Sequence, residues 1–363
     1  MKDYKSINRI AVEKLLSNKL ACLSLILIII FLFIAIFSYQ IMPDNTPLAN
    51  SIELSIAKKN PGFTVDCILL KNLNNNKVLK KNSFFFGHEK DYNELLIQNH
   101  KLINDTLYYH LYSDLEDEYK VCVSDLHITK HGQYVKKKFF LLGTDKYGRD
   151  LLSRIILGTR VSFSVGFISV FISVFIGLIL GLFSGYYGGK VDVFICWLIN
   201  VVWSIPTLML VIAISLVLGK GFWQVFVAVG LTMWVEVARV ARGEVLKVSQ
   251  LTYIESVKSF GLTDVKIMFK HILPNILNPI IIISAANFAT SVLLESGLSF
   301  LGIGVQPPVP SWGMIIRNHY GFIVMEKAYL SLLPGLCIVV LVLAFMLLAN
   351  SLRDILDTKL KDN

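Results

Sequence analysis

The sequence predicts an all-α polytopic membrane protein with six transmembrane helices, both termini cytoplasmic, and a small β-rich external insert between the first and second helices. Three observations carry this. Six apolar runs are each long enough to cross about 30 Å of hydrocarbon, which takes about 20 helical residues. The 363-residue chain is 54% hydrophobic and 17% charged, leaving too little polar surface for one soluble globule. Its basic residues also gather in the connections that six spans would put on one side.

The first run, Leu20 to Ile41, is interrupted only by small or weakly polar residues such as Ser24 and Ser38. A signal peptide would have a shorter apolar region and end at a small-residue cleavage site, whereas Tyr39, Gln40, Ile41, Met42 and Pro43 follow here. Residues 1–41 therefore read as a cytoplasmic N-terminus and an uncleaved span. The later runs are Val161 to Ser184, Val191 to Leu218, Phe222 to Ala238, Pro279 to Phe300 and Ala328 to Asn350. Pro206 should kink the third, with Ser204 and Thr207 hydroxyls covering the freed carbonyl. The fourth is short and contains Glu236.

Lys2, Lys5, Arg9, Lys14 and Lys19 precede the first span, and Lys190 separates the second and third. Arg239, Arg242, Lys247, Lys258, Lys266 and Lys270 separate the fourth and fifth, and Arg353, Lys359 and Lys361 follow the sixth. The positive-inside rule makes this side cytoplasmic, leaving Lys220 and a long segment outside. The formal charge of +9 fits loops facing anionic lipid. No basic stripe interleaved with aromatics is present, which argues against nucleic-acid binding.

Residues 42–160 form the external insert, polar and Lys- and Asn-rich, with a turn at Asn74-Asn75-Asn76. Phe63 to Cys67 and Tyr119 to Val123 alternate apolar and polar residues as half-buried strands do. Leu107 to Tyr112 adds aromatic strand formers, and Lys130-His131-Gly132-Gln133 reads as a hairpin turn. Cys67 and Cys122 are the candidate disulfide, since an oxidising exterior would let them join; Cys22, Cys196 and Cys337 read as small apolar fillers. His127 and His131 have the spacing of a zinc pair on a helix, but the local pattern is strand and turn, so no metal site is expected.

Residues 161–363 hold the remaining spans and, at about 250–275, a cytoplasmic loop. In Tyr253-Ile254-Glu255-Ser256-Val257-Lys258-Ser259-Phe260-Gly261, the residues Ile254, Val257 and Phe260 lie on one helical stripe. Gly261 suits the left-handed position that ends a helix, and Thr263 or Asp264 can cap the next. Leu273-Pro274 should end that second helix before the fifth span. An apolar stripe on a basic loop is a docking helix for a partner groove or a helix lying on the membrane.

Glu255, Gly261 and Leu273-Pro274 stand at the spacing of the EAA loop of bacterial ABC importer permeases, with Ser256 and Val257 in place of two alanines and His271 where isoleucine is usual. The stretches Leu142 to Arg154, Gly185 to Asp192, Leu294 to Gly313 and Leu352 to Asp357 resemble the C-type permease of dipeptide and oligopeptide transporters, so that the likeness covers about 1–41 and 139–363. It implies a permease subunit in the bacterial inner membrane that forms a pathway with a second, homologous permease. Partners would be two ATP-binding cassette subunits, an external solute-binding protein and membrane lipid. Nickel, glutathione or another small solute is the alternative cargo to peptides, and a self-sufficient secondary transporter the alternative class. Ser184 to Val191 lacks the first glycine and the hydroxyl after lysine of a phosphate-binding loop, so ATP and magnesium should bind only the partner ATPases and the chain should be no enzyme. Glu255 would anchor docking through a charged partner or cap nearby amides, against the plain reading of a solvated charge. Glu295 and Trp312 are pathway or gate candidates: Glu295 lines the pathway or, preferably, bonds the irregular backbone near Gly302, while Trp312 suits an interface belt.

Overall fold

The computed structural model describes residues 13–71, 83–90, 92–127, 134–219 and 221–357. Helix α1 (Lys19–Ile36) begins at Asn18, whose Oδ1 accepts the Leu20 and Ala21 amides at 3.0 and 3.3 Å, satisfying two donors that a helix start leaves free. It breaks at Phe37 and restarts as a short helix, Ser38–Ile41. Helix α2 (Leu151–Tyr187) starts at Leu151 rather than Val161, capped by Asp150, which accepts the Ser153 amide at 2.9 Å. Its rise of about 55 Å exceeds the hydrocarbon thickness, so its first turns stand outside it.

The third run is a broken pair instead of one kinked helix. Helices α3 (Gly189–Trp203) and α4 (Thr207–Leu218) meet at 90° across Ser204-Ile205-Pro206. Pro206 lacks a donor and pushes Ile205 out of the helical region; Ser204 Oγ covers the Val201 carbonyl at 2.8 Å. Among the described residues five helices qualify as spans alone, six if α3 and α4 count together.

Helix α5 (Phe222–Ser249) outruns the expected end at Ala238. It is followed by α6 (Thr252–Ser259), α7 (Asp264–Leu301), α8 (Trp312–His319) and α9 (Tyr329–Asp357). Leu273-Pro274 does not end a helix. Residues Ile267–Ile272 form one wide π turn, in which the Leu273 amide reaches the Met268 carbonyl, and α7 continues through Pro274. The widened turn makes room for a ring that would otherwise meet the preceding carbonyls.

Helices α2 and α5 share the most extensive packing in the bundle. A Cβ on Gly177 would stand 2.8 Å from the Trp234 carbonyl, on Gly181 2.7 Å from that of Ala238, and on Gly185 2.9 Å from that of Arg242. This small-xxx-small stripe brings backbones together where lipid supplies no hydrophobic drive.

The insert is a five-stranded antiparallel sheet ordered β4-β3-β2-β1-β5, built from β1 (Phe63–Lys71), β2 (Tyr92–Ile103), β3 (Thr106–Leu111), β4 (Asp114–Cys122) and β5 (Val135–Phe140). One face buries Val65, Cys67, Leu69 and Phe140 over Ile56, and the other Ile68, Ile97, Leu107 and Leu126. The expected disulfide is absent. Cys67 pairs with Leu96 in β2, whereas Cys122 pairs with Thr106, itself opposite Ile103. Three strand steps, about 14 Å, and a further 24 Å or so along the strands separate thiols whose bridging needs Cα atoms within about 7 Å. Both are free, Cys67 buried and Cys122 exposed. The turns expected at Asn74 to Asn76 and Lys130 to Gln133, and His131, lie outside the described residues. The His127 ring stacks on Tyr92, and no metal-holding group of three or more ligands exists among the described residues.

Glu94 Oε2 sits between Lys90 and Lys138 at 2.9 and 3.1 Å on this sheet. Burial pushes its carboxyl up, but the two ammonium groups outweigh this and hold it below the usual glutamate range. The pair therefore stabilises the sheet above the unfolded glutamate value of about 4.3, and its contribution is lost as pH falls through the lower folded value.

Two outcomes follow. Gly181→Leu forces α2 and α5 apart and should cost about 1–3 kcal/mol, read as a lowered melting temperature in detergent, while Gly243→Ala, at a glycine with nothing near its Cβ position, stays within about 0.5 kcal/mol. Glu94→Gln should speed amide exchange in β1 and β5 relative to wild type at pH 7, and the difference should close when both are acidified well below pH 4.

Candidate functional site

At the bundle end opposite the sheet, α6 is held by Ile254, which is buried among Leu182, Val245, Val248, Ile267 and Ile272, with Val257 half-buried beside it. Side chains fasten the loop on two sides: Tyr186 of α2 donates to Asp264 Oδ1 at 2.7 Å, and Asn275 Nδ2 of α7 donates to the Tyr253 hydroxyl at 2.9 Å. Gly261 ends α6 at φ 79°, its amide on the Lys258 carbonyl at 3.0 Å. No atom crowds its Cβ position, so backbone conformation alone demands glycine.

The stripe read from the sequence divides. Ile254 and Val257 face inward, whereas Phe260 is 82% exposed and is joined by Val265 at 57% and Phe269 at 49%. Sequence reading missed the last two because it counted α6 alone; the π turn that carries the loop into α7 is what exposes them. Ser256 donates to the Thr252 carbonyl at 3.0 Å. Glu255 is exposed, and its carboxylate caps no amide and pairs with no cation among the described residues. Leu273 packs against the Ile254 cluster.

Beside this loop, Arg242 of α5 grips Asp192 of α3 through two bonds, Nε to Oδ1 at 2.6 Å and Nη2 to Oδ2 at 2.7 Å, with Ser184 of α2 donating to the same carboxylate. A planar fork on a carboxylate fixes orientation as well as distance.

The two gate candidates are interior. Glu295 is fully buried and accepts from Ser299 Oγ at 2.7 Å; Ser299 Oγ in turn accepts the Val305 amide at 3.1 Å, holding the chain as it turns back after α7. Glu295 thus meets hydroxyls and touches the irregular backbone only through Ser299. Trp312 belongs to no interface belt: it is fully buried, its Nε1 donates to the Ile155 carbonyl at 3.0 Å, and a Cβ on Gly158 would lie 2.7 Å from its ring. Elsewhere, a cleft of about 100 Å³ opens where α3 breaks, lined by Trp203, Thr207, Thr232, Met233, Glu236 and Thr290 among others. The sequence marked Glu236 only as a charge within an apolar run.

Residues 177–362 match the family described as binding-protein-dependent transport system inner membrane component, and residues 6–55 match the N-terminal TM domain of oligopeptide transport permease C. A glutathione transport system permease protein of Pectobacterium atrosepticum is 41% identical over 220 residues, covering 61% of this chain and 73% of that protein. Its namesake in Salmonella typhimurium is 41% identical over 219 residues, covering 60% and 72%. Among solved structures, the MetNI methionine ABC transporter in an inward-facing form aligns with a TM-score of 0.47 at 19% identity, over 56% of this chain and 97% of that one.

Trp312→Phe removes one donor from the buried Ile155 carbonyl, which keeps Thr159 Oγ1 at 3.2 Å, and should destabilise the protein by about 0.5–1.5 kcal/mol, measured as a lowered melting temperature in detergent; an unchanged melt would return Trp312 to the surface belt.

Proposed function

The chain belongs to the family of binding-protein-dependent transport system inner membrane components and is an ABC importer permease of the inner membrane, and from that premise we propose that it forms, with a second homologous permease, a pathway for di- or oligopeptides handed over by an external binding protein. The α6 loop faces the cytoplasm, where Arg239, Lys247, Lys258, Lys266 and Lys270 satisfy the positive-inside rule, and the sheet faces outward. Both termini are then cytoplasmic. Two ATP-binding cassette subunits dock there and bind the ATP and magnesium; this chain performs no chemistry of its own.

The observation that carries docking is the pairing of a fixed helix with an unpartnered apolar face. Ile254, Asn275 and Tyr186 hold α6 and the start of α7 rigid, while Phe260, Val265 and Phe269 stand out where a groove can receive them, with the Glu255 carboxylate free for a basic partner. A rigid helix can transmit movement of the ATPases into α5 and α7, the two helices it joins. For cargo, the relatives named for glutathione transport favour a second, narrower reading, and glutathione is itself a tripeptide.

Gentle detergent extraction of the tagged chain from its native membrane, followed by mass spectrometry, tests this. Wild type should bring a second permease and two ATPases. Glu255→Lys and Phe260→Asp should each lose the ATPases while keeping the second permease. ATPases retained by both variants would move docking to another surface, and a chain recovered alone would favour a self-sufficient transporter.

A further inference from the structure

The cleft at the α3–α4 break has donors and acceptors out of balance. Glu236 lies within the apolar run of α5, exposed, with no hydrogen bond or ion pair among the described residues. A carboxylate at such a place is costly unless something cationic or aqueous meets it. Its obvious local partner is Arg239, three residues on and exposed on the same side of the helix. Arg239 makes no ion pair with it: its guanidinium lies over the Trp203 ring at the wall of the cleft, 3.5 Å from the centroid.

Of the three threonine hydroxyls lining the cleft, Thr207 Oγ1 has no hydrogen bond among the described residues and can turn either way, and the other two have already spent their protons. Thr232 Oγ1 donates to the Val229 carbonyl at 2.8 Å and Thr290 Oγ1 to the Ala286 carbonyl at 3.1 Å, each within its own helix. What they offer the cleft is lone pairs. The Met233 sulfur, also lining it, is an acceptor already used by Ser291 Oγ at 3.1 Å. Glu236, Thr232 and Thr290 thus face the cleft as acceptors only. The group that matches the carboxylate and these lone pairs carries several donors and a positive charge, which describes a primary ammonium. A cleft of about 100 Å³ has room for an ammonium head.

We propose that this cleft is a cargo subsite that takes the primary ammonium group of the transported molecule, with the Glu236 carboxylate as its counter-charge. The proposal rests on the reading of the chain as a peptide-importing permease and adds the end of the peptide that this permease grips. The cleft lies at the 90° break, lined by Trp203 and Ile205 before Pro206 and by Thr207 and Leu210 after it.

The test uses the whole transporter in proteoliposomes, with a tripeptide and its N-acetyl form, both first shown by titration to load the binding protein. Acetylation removes the charge and leaves the rest of the cargo intact. Glu236→Gln should lower the ratio of free-amine to acetylated uptake at least tenfold relative to wild type, and Glu236→Asp should recover some of it. On wild type alone, millimolar propylammonium should inhibit uptake of the free-amine peptide while propanol does not. Equal slowing of both peptides by Glu236→Gln, or inhibition by propanol equal to that by propylammonium, would overturn the ammonium subsite and leave the importer standing. Uptake of neither peptide by wild type with active ATPases would overturn the peptide reading and the subsite with it.

Discussion

The contact of α2 with α5 is the constraint on which the other helices depend. Lipid is as apolar as leucine, so two membrane helices gain from meeting only when their surfaces interlock or their backbones come close enough for dispersion and weak polar contacts to add up. Gly177, Gly181 and Gly185 permit that approach over two turns, and the partner surface is trimmed to match by Ala238 and Ala241. Polar ties clamp the pair at both ends. Ser169 Oγ donates to the Phe226 carbonyl at 3.1 Å towards the sheet, and the Arg242 fork on Asp192 closes the far end while drawing in α3. Helix α7 then packs on both, with Phe288 set against Phe163 of α2 and Ser291 against Met233 of α5.

Burial of charge separates what supports the fold from what is left open. At the sheet end, Asp145 is fully buried, and both its oxygens are used: Oδ1 accepts the Tyr147 and Arg149 amides at 2.8 and 2.9 Å, and Oδ2 accepts Arg149 Nε at 2.7 Å. The loop closes so tightly that a Cβ on Gly148 would collide with the Glu53 carbonyl oxygen, and at φ 75° only glycine is at ease there. Glu295 is closed in the same way by serine hydroxyls. A closed carboxylate in a membrane protein is a structural element, since removing either partner strands the other without water. Glu236 is the exception that the same physics singles out, because its charge is left facing a cleft.

The sequence made the apolar runs, the strands at Phe63 and Tyr119 and the glycine stop at Gly261 legible, because each is written in local periodicity or backbone preference. Its misreadings share one cause: tertiary contacts that local pattern does not encode. Tryptophan near a helix end suggests an interface, and only the space left by Gly158 and the carbonyl of Ile155 places Trp312 inside. A proline after a short helix suggests a stop, and only the π turn lets α7 run through Pro274. Cys67 and Cys122 share the external segment, but strand order keeps them far apart. The stretch from Leu142 to Arg154 was recognisable as a resemblance; its reason, a knot of buried charge, required the fold. The α6 loop was half legible, in that the anchor Ile254 and the exposed Phe260 both lay on the stripe, but a stripe cannot tell which of its residues the protein itself covers.

The insert is fastened to the membrane bundle, and the fastening is specific. Lys59 accepts the Tyr329 hydroxyl on its carbonyl at 3.1 Å, and Lys58 takes the ammonium of Lys327 in the same way, so the segment before β1 lies on the entrance to α9. Lys146 donates its amide to His319 Nε2 at 3.2 Å and its ammonium to Asn318 at 3.2 Å, tying the knot to the end of α8. An amide can only donate to that ring nitrogen, and the Ile315 carbonyl, 2.7 Å from Nδ1, can only accept. The imidazole must therefore be neutral with its proton on Nδ1, in keeping with burial, which pushes its pKa down. Since α8 is locked by Trp312 into α2 and the turn before it is held by Glu295, the sheet is joined to the same rigid frame as the glycine contact.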